Sequence, residues 1–355
     1  MTKSMEKNST SIKINIAELL KADQLLSCVK KDIETFSHNE IAIATDPKDG
    51  CLHFIKSEYF WKIFQEKAQK NNYTKLLIIA DSKLKDLVLA ENRVATCLLS
   101  TNVELSMANT SKVFYQSKFG KINHYLDGRL SGTANIHPSA FVSPLAFIGE
   151  YVEIAAGAEI MPGVYVGAHS CIGENTKLFP HVSIYNFVKI GKNCRIHSNT
   201  VIGADGFGYV FDKGSHVKIW HIGSVIIKDD VEIGANSCVD AGTFIPTLIG
   251  DKCIIDNQVQ VAHNTQLGTG VVLCGQTGTA GSAKIGDYAV CGGRVAIGPQ
   301  VEIGKYAKIA GGAMVTKSFG DGVELGGHPA RPLKEWLRSI ALLNRLEKTS
   351  KKDMP

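Results

Sequence analysis

An aliphatic residue returns at every sixth position along one stretch of the chain: Ile136, Val142, Ile148, Ile154, Ile160, Val166, and so on through Ile172, Leu178, Ile184, Ile190, Ile196 and Ile202. The count resumes at Ile227, Ile233 and Val239, slips in phase, and runs again from Ile249 through Ile255, Val261, Leu267 and Leu273 to Val315. A helix repeats every 3.6 residues and a strand every 2, so neither accounts for a clean six. A hexapeptide repeat does: each hexad supplies a short flat strand and a corner, and three hexads close one triangular coil. Two positions before most of the aliphatic residues stands a small one, such as Ala146, Ala158, Ser170 or Thr176, and both should point inward. Glycine often follows the aliphatic residue, as at Gly149, Gly167 and Gly268, and a positive φ at some corners is the expected reason. The spacing predicts a mainly β chain built on a left-handed parallel β-helix of about nine coils.

The rest of the 355 residues lacks this period. Residues 1–9 are polar and expected to be disordered. We expect an N-terminal α/β domain over 1–115, a linker over 116–132, the β-helix over 133–322 and a C-terminal helical extension over 323–355. Ser57–Asn71 places Phe60, Ile63, Phe64 and Ala68 on one helical face. Lys75–Ala80 has the length and aliphatic content of a buried strand, and Leu84–Leu89 reads as helix. Phe54, Tyr59, Phe60 and Trp61 form an aromatic cluster that either packs the core or offers a stacking platform for a base. Inside the repeat, Ala204–Ile222 interrupts the count and carries Phe207, Tyr209, Phe211 and Trp220. It must leave the prism as a loop and fold over a flank, and loops on rigid scaffolds commonly carry function. Thr243–Thr247 is a second, shorter excursion. In Pro332–Lys352, Leu333, Trp336, Leu337, Ile340, Leu343 and Leu346 make a helical stripe. That stripe needs the top of the prism or the same helix of other subunits as its partner.

Composition narrows the function. A net charge of +5, spread along the chain, lacks the clustered basic stripe of a nucleic-acid binder. The nine cysteines form no CxxC pair, and Cys194, Cys253 and Cys291 fall on inward positions, as buried fillers in a reducing cytosol would. The first residues hold no apolar leader core, and no run approaches eighteen apolar residues. A soluble cytoplasmic protein with at most peripheral membrane contact is the expectation.

The chemistry concentrates in Ile254–Leu267, IIDNQVQVAHNTQL. His263 follows the inward Val261 by two positions, which sets it at a corner or outer face. Asp256 and Asn257 lie about one hexad back, and Asp256 is expected to orient the imidazole and stabilise its cation. Gly281 lies eighteen residues on, one coil above His263 and about 4.8 Å away along the axis. A glycine there lets a ligand approach backbone amides closely, as an oxyanion site requires. Base, orienter and oxyanion donor are the parts needed for acyl transfer to an amine or hydroxyl. No second histidine sits one coil above or below His263, so no metal site between subunits is expected. Met314 precedes the inward Val315 and should face outward three coils above His263, roughly 14 Å away. It either closes a groove and sets acyl-chain length, or packs between subunits. Basic residues outnumber acidic ones in the last segment, where they dock an acidic partner or simply form a solvated face.

Several stretches carry a family resemblance: VIIKDDVEIGANSCVD, IIDNQVQVAHN, the GFGY of Gly206–Tyr209, and the Gly-Gly-His-Pro-Ala-Arg-Pro that leads into the terminal helix. Over about 132–345 the chain resembles the UDP-3-O-(3-hydroxyacyl)glucosamine N-acyltransferases of lipid A biosynthesis. The resemblance implies a homotrimer that moves a 3-hydroxyacyl group from acyl carrier protein to the 2-amine of a UDP-linked 3-O-acylglucosamine. It implies no permanent cofactor beyond the phosphopantetheine arm of the donor. Carried over, His263 is the base, Asp256 its partner and Gly281 the oxyanion donor. Phe54 and Phe60 take the place of uracil-stacking aromatics. Asn257, Gln260, Asn264, Gln300 and Met314 become substrate-binding positions, and Lys317, Arg331, Lys334 and Arg338 the docking site for the donor protein. The chain departs from the family pattern at Gln300, where a second histidine is usual, and at Ala241, Ser57 and Phe60, which replace arginine, asparagine and tyrosine. Two other readings compete: an acetyl-CoA-dependent sugar-nucleotide N-acetyltransferase, and a catalytically silent paralogue serving as a scaffold.

Overall fold

The computed structural model describes residues 13–37, 41–327 and 332–350, and for 346–350 the backbone alone. The expectation of disorder over 1–9, and the docking residue Arg331, therefore lie outside the described residues. Before residue 120 the chain alternates strands β1 (Lys13–Asn15), β2 (Leu26–Lys31), β3 (Thr35–Ser37), β4 (Ile41–Ala42), β5 (Leu52–Ile55), β6 (Leu76–Asp81) and β7 (Val94–Ser100) with helices α1 (Ile16–Ala22), α2 (Glu58–Lys70), α3 (Lys85–Leu89) and α4 (Val103–Phe119). One sheet runs β2-β7-β6-β5-β4, parallel except for the β2–β7 edge. β6 is central and covered on both faces, which is why its LLIIA reads as a continuous aliphatic run. On α2 the buried face is Trp61, Phe64 and Ala68, whereas the expected Phe60 and Ile63 are only half-buried. The helical phase is rotated because the indole fills the core beside Phe64, with ring centroids 5.6 Å apart. α4 extends to Phe119, so the expected domain boundary at 115 falls inside a helix. A short helix, α5 (Gly128–Ser131), then leads into the prism.

From Asn135–Ile136 to Glu324–Leu325 the hexads stack into three parallel sheets of nine, nine and ten strands, closing a left-handed parallel β-helix. The eighteen-residue step sets the register, with Ile154 paired to both Ile136 and Ile172. The aliphatic and small positions together fill one continuous buried column, in which Ile148, Ile160, Val166 and Ala158 are at most 1% exposed. Positive φ holds for some glycines of the repeat, such as Gly203 at 92°, but not for Gly149 and Gly268. Positive φ falls three positions after the aliphatic residue, mostly on non-glycines such as Tyr151, His169, Asn175 and Asn264. Gly149 and Gly268 are needed because a Cβ there would come 2.6 Å from Ala168 N and 2.7 Å from Asp287 N. They let one coil lie on the next.

Both excursions bind the prism to the N-terminal domain. Val201–Asp205 runs on beyond its hexad into an antiparallel hairpin, Tyr209–Asp212 with Ser215–Lys218. The returning strand is fastened to α4: Trp220 N donates to Ser111 Oγ at 2.9 Å, and Lys118 Nζ to the Ile222 carbonyl at 2.6 Å. In the second excursion Phe244 stacks on Phe54 with centroids 5.4 Å apart and rings 12° from parallel. Ile222 and Phe244 thereby join the apolar core of the first domain. At the other end α6 (Leu333–Ser350) keeps its apolar stripe open, with Leu333 at 68% and Trp336 at 48% exposure. The top of the prism does not cover it. Among the described residues no helix is long and apolar enough to cross a membrane. All nine cysteines are free, and Cys194, Cys253 and Cys291 are buried as their positions require.

Candidate active site

The short strand Gln260–Val261 ends in the corner 262–264, and there Asn264, at φ 61°, turns the chain. The side chain of Asn264 is pinned in one orientation. Its Nδ2 donates to the Ile245 carbonyl at 2.9 Å, so its Oδ1 accepts, from Thr243 N at 3.1 Å and Thr243 Oγ1 at 2.9 Å. His263 Nδ1 lies 3.0 Å from that same oxygen. It must therefore carry the proton, which leaves Nε2 as a free lone pair. Ser282 N donates to the His263 carbonyl at 2.9 Å and sets Gly281 directly over the ring. A Cβ on Gly281 would fall 2.5 Å from both Cε1 and Nε2 of His263. The Gly281 amide donates to no backbone carbonyl among the described residues. On another flank Gly206 is equally tight, since a Cβ there would lie 2.5 Å from His263 Cβ. The imidazole sits in a slot between two bare backbones, its basic nitrogen beside Gly281.

The charged surroundings come mainly from the excursions. Burial raises the carboxyl of Asp240 above its ordinary range, against a hydrogen bond from Gln260 and the pull of His263. Lys218 pairs with Asp205 at 2.5 Å and covers the Trp220 ring at 4.8 Å. His221 is 1% exposed, and its ring centroid lies 5.3 Å from that of His263 at 69°. Burial first, and then the neighbouring His263, push its pKa down to about 4. His221, Asp240, Gly206 and Thr243 were not expected at the site. The first excursion stretches the step from Ile202 to its partner Val239 beyond eighteen residues, and the second does the same from Val239 to Val261, so counting by coils does not find them.

The structure does not bring Asp256 to His263. Its carboxylate accepts from Asn257 N at 2.7 Å, Asn257 Nδ2 at 2.9 Å and Gly275 N at 2.9 Å, clasping the preceding corner. One hexad spans a whole strand, so residues 256 and 263 occupy neighbouring corners of the triangle, and Asn264 takes the orienting place. Asn257 Oδ1 receives Ala235 N at 2.7 Å at the same distant corner. Gln300 is exposed one coil above Gly281, where its N–H donates to the Gly281 carbonyl at 3.0 Å. Phe54 is 8% exposed with one face taken by Phe244, so it packs the core instead of presenting an open platform. Phe60 is half-buried beside Tyr59, with the Lys56 ammonium 5.5 Å from its centroid. Outward from the base, the register runs Gln260 to Gly278, Gly278 to Ala296 and Ala296 to Met314. A Cβ on Gly278 would meet nothing within 4 Å, and Met314 is 71% exposed. Two small residues floor a track that a flexible thioether ends.

Residues 145–179 and 172–204 match the family model of the bacterial transferase hexapeptide (six repeats). The chain is 43% identical over 242 residues to a UDP-3-O-acylglucosamine N-acyltransferase of Pseudomonas syringae pv. syringae, covering 64% of this chain and 69% of that one. It is 47% identical over 250 residues to the enzyme of the same name from Pseudomonas entomophila, covering 66% and 70%. The chain belongs to the UDP-3-O-acylglucosamine N-acyltransferase family. It is an acyltransferase. Among solved structures, a UDP-N-acetylglucosamine O-acyltransferase from Moraxella catarrhalis aligns at 28% identity and a TM-score of 0.46, over 55% of this chain and 72% of that one. Of the basic residues expected to dock a donor, the acyltransferase exposes Lys317, Lys334 and Arg338, with the Lys317 ammonium 5.5 Å from the Phe319 ring centroid.

Proposed function

We propose that the enzyme moves a 3-hydroxyacyl chain from acyl carrier protein to the 2-amine of UDP-3-O-acylglucosamine in lipid A biosynthesis, as a cytoplasmic homotrimer with His263 as general base. The observation that carries this reading is the free Nε2 of His263 beneath the bare amide of Gly281. The amine nitrogen attacks the thioester carbonyl and forms the new N–C bond while its proton passes to Nε2. The Gly281 N–H receives the developing oxyanion. Collapse breaks the C–S bond, and the proton held on His263 passes to the departing thiolate of the phosphopantetheine arm, leaving an amide and a free thiol. Asn264 holds the Nδ1 proton throughout and supports the imidazolium. The names of the relatives support the acceptor, and the exposed Lys317, Lys334 and Arg338 suit an acidic carrier protein.

Mass spectrometry of products tests the reading, with acyl carrier proteins, acetyl-CoA and UDP-glucosamine acceptors offered together. An amide-linked 3-hydroxyacyl chain on UDP-3-O-acylglucosamine is the expected product. An acetylated sugar would turn the reading to the acetyl-CoA class, and the absence of any product to a silent scaffold. Rising ionic strength should raise KM for the carrier protein, because screening weakens exposed charge pairs.

A further inference from the structure

We propose that His221 is a positioning residue for His263: an imidazole that the N-terminal domain holds edge-on to the base, ready to stabilise the proton that the base takes up. The inference rests on His263 being the general base.

Four observations carry it. His221 is 1% exposed, and neither ring nitrogen has a hydrogen-bond partner among the described residues. The Ile219 backbone two residues before it is near enough to raise its pKa slightly but not in hydrogen-bonding geometry. A buried polar atom without a partner is rare in a folded chain and calls for a reason. Its ring meets that of His263 at 5.3 Å and 69°, an edge-to-face contact that helps to fix the orientation of the base. The turn that covers it is bare where it must be, since a Cβ on Gly206 or Gly208 would come 2.9 Å from Nε2 or Cε1 of His221. Finally, the main chain is fastened to α4 on both sides of this one residue, through Trp220 N to Ser111 Oγ and Lys118 Nζ to the Ile222 carbonyl.

The free nitrogens matter because a neutral imidazole carries one N–H and one lone pair, and no partner here dictates which nitrogen holds which. When His263 becomes an imidazolium, the neutral, electron-rich ring of His221 packed against it can stabilise the charge without moving. Burial keeps His221 neutral well below the range in which a histidine base works. The charged and titratable groups around it leave that role open. Asp205 and Lys218 on the hairpin neutralise each other, and from α4 Tyr115 packs on Trp220 while the Lys118 ammonium is engaged by the Ile222 carbonyl. His263 is the remaining partner.

The test compares pH–rate profiles of full-length wild type, His221→Phe, His221→Gln and His263→Ala, with thermal melts of each. Phenylalanine keeps the edge-to-face packing and removes the nitrogens, whereas glutamine keeps a neutral polar group and removes the ring. In His221→Phe, kcat should fall about tenfold with acceptor KM within about twofold, the loss of one polar contact made chiefly to the charged base. The acid limb should move to lower pH, because the protonated base has lost a stabilising neighbour. His221→Gln should recover most of kcat. Wild-type kcat and an unshifted acid limb in His221→Phe would overturn the role, as would equal losses in both variants that follow their melting temperatures. If the phenyl ring prevents folding, His221→Leu takes its place in the same comparison. His263→Ala at full rate would remove the base itself, whereas an inactive His263→Ala beside a wild-type His221→Phe would remove the positioning role alone.

Discussion

Gly281 owes its identity to the ring beneath it. Its backbone is not in the left-handed region, so alanine is conformationally acceptable there, yet the added methyl would sit 2.5 Å from the basic nitrogen of His263. Gly281→Ala should therefore fold and assemble while kcat falls about a hundredfold or more, because the methyl occupies the space between the base and the oxyanion donor, on the scale of losing that donor. Wild-type turnover in a variant with an unchanged melting temperature would show that the space over the imidazole is not used. The stacking of Gly281 over His263 was legible in the sequence because they lie eighteen residues apart inside an unbroken run of hexads, where adding eighteen means moving up one coil. Asp256 misled because seven residues looks like proximity, whereas in this fold it is the length of one side of the triangle. Asn264 was named only as a substrate contact. Its orienting role depends on Thr243 and Ile245, which an excursion brings back to the corner and which no periodicity predicts. His221 was hidden the same way, inside a loop whose path the hexads do not dictate.

Among the elements, the prism was legible almost strand by strand, because one buried column imposes one period on every coil. The two excursions were visible as breaks, but their docking on α4 was not, since it depends on a helix phase that only packing fixes. Lys118 makes that docking measurable. Its side chain is half-buried overall, but the ammonium is enclosed between the Ile222 carbonyl and the Phe187 ring, 4.5 Å from the centroid. Burial pulls its pKa down to about 8 from 10.5. Below pH 8 both folded and unfolded chains carry the charge, and the folded one bears the cost of burying it. Between about pH 8 and 10.5 the folded chain releases the proton first, the unfolded chain binds more protons, and stability rises with pH. Urea unfolding at pH 7.5 and 9.5 should show wild type gaining on Lys118→Met as pH rises. A pH-independent difference would mean that the ammonium is hydrated. The track from Gln260 to Met314 belongs to one sheet, and its end is a side chain that bends easily. Met314→Gly, assayed with carrier proteins bearing a ladder of acyl lengths, should shift preference toward longer chains. A uniform loss at every length would mean that Met314 only packs.

At the scale of the whole molecule, the protomer is unfinished in two places, and both argue for the same remedy. His263 stands half-buried on an outer corner with bare backbone on two sides, at Gly206 and Gly281. Two shallow concavities along the prism lie away from it, one around Asp256, Gln276 and Arg294 and the other around Leu248, Lys284 and Phe319. Substrate sites normally enclose most of their ligand, so a base on a flat face needs a second surface opposite it. The C-terminal helix repeats the problem, since Leu333, Trp336, Leu337 and Leu343 are each about half exposed or more on one amphipathic face. A stripe of that size on a helix standing clear of the prism is stable only against another apolar surface. Three copies around one axis answer both needs, with the triangular prisms walling each other's corners and the helices closing their stripes together, as a cyclic assembly allows. Sedimentation at working concentration should give one species of three times the protomer mass. Removing residues after 332 should weaken that assembly and, on dilution, turnover with it. A stable monomer that keeps full activity would mean that one face suffices, and the second wall would have to be sought within the chain, in the hairpin that carries Phe207 and Tyr209.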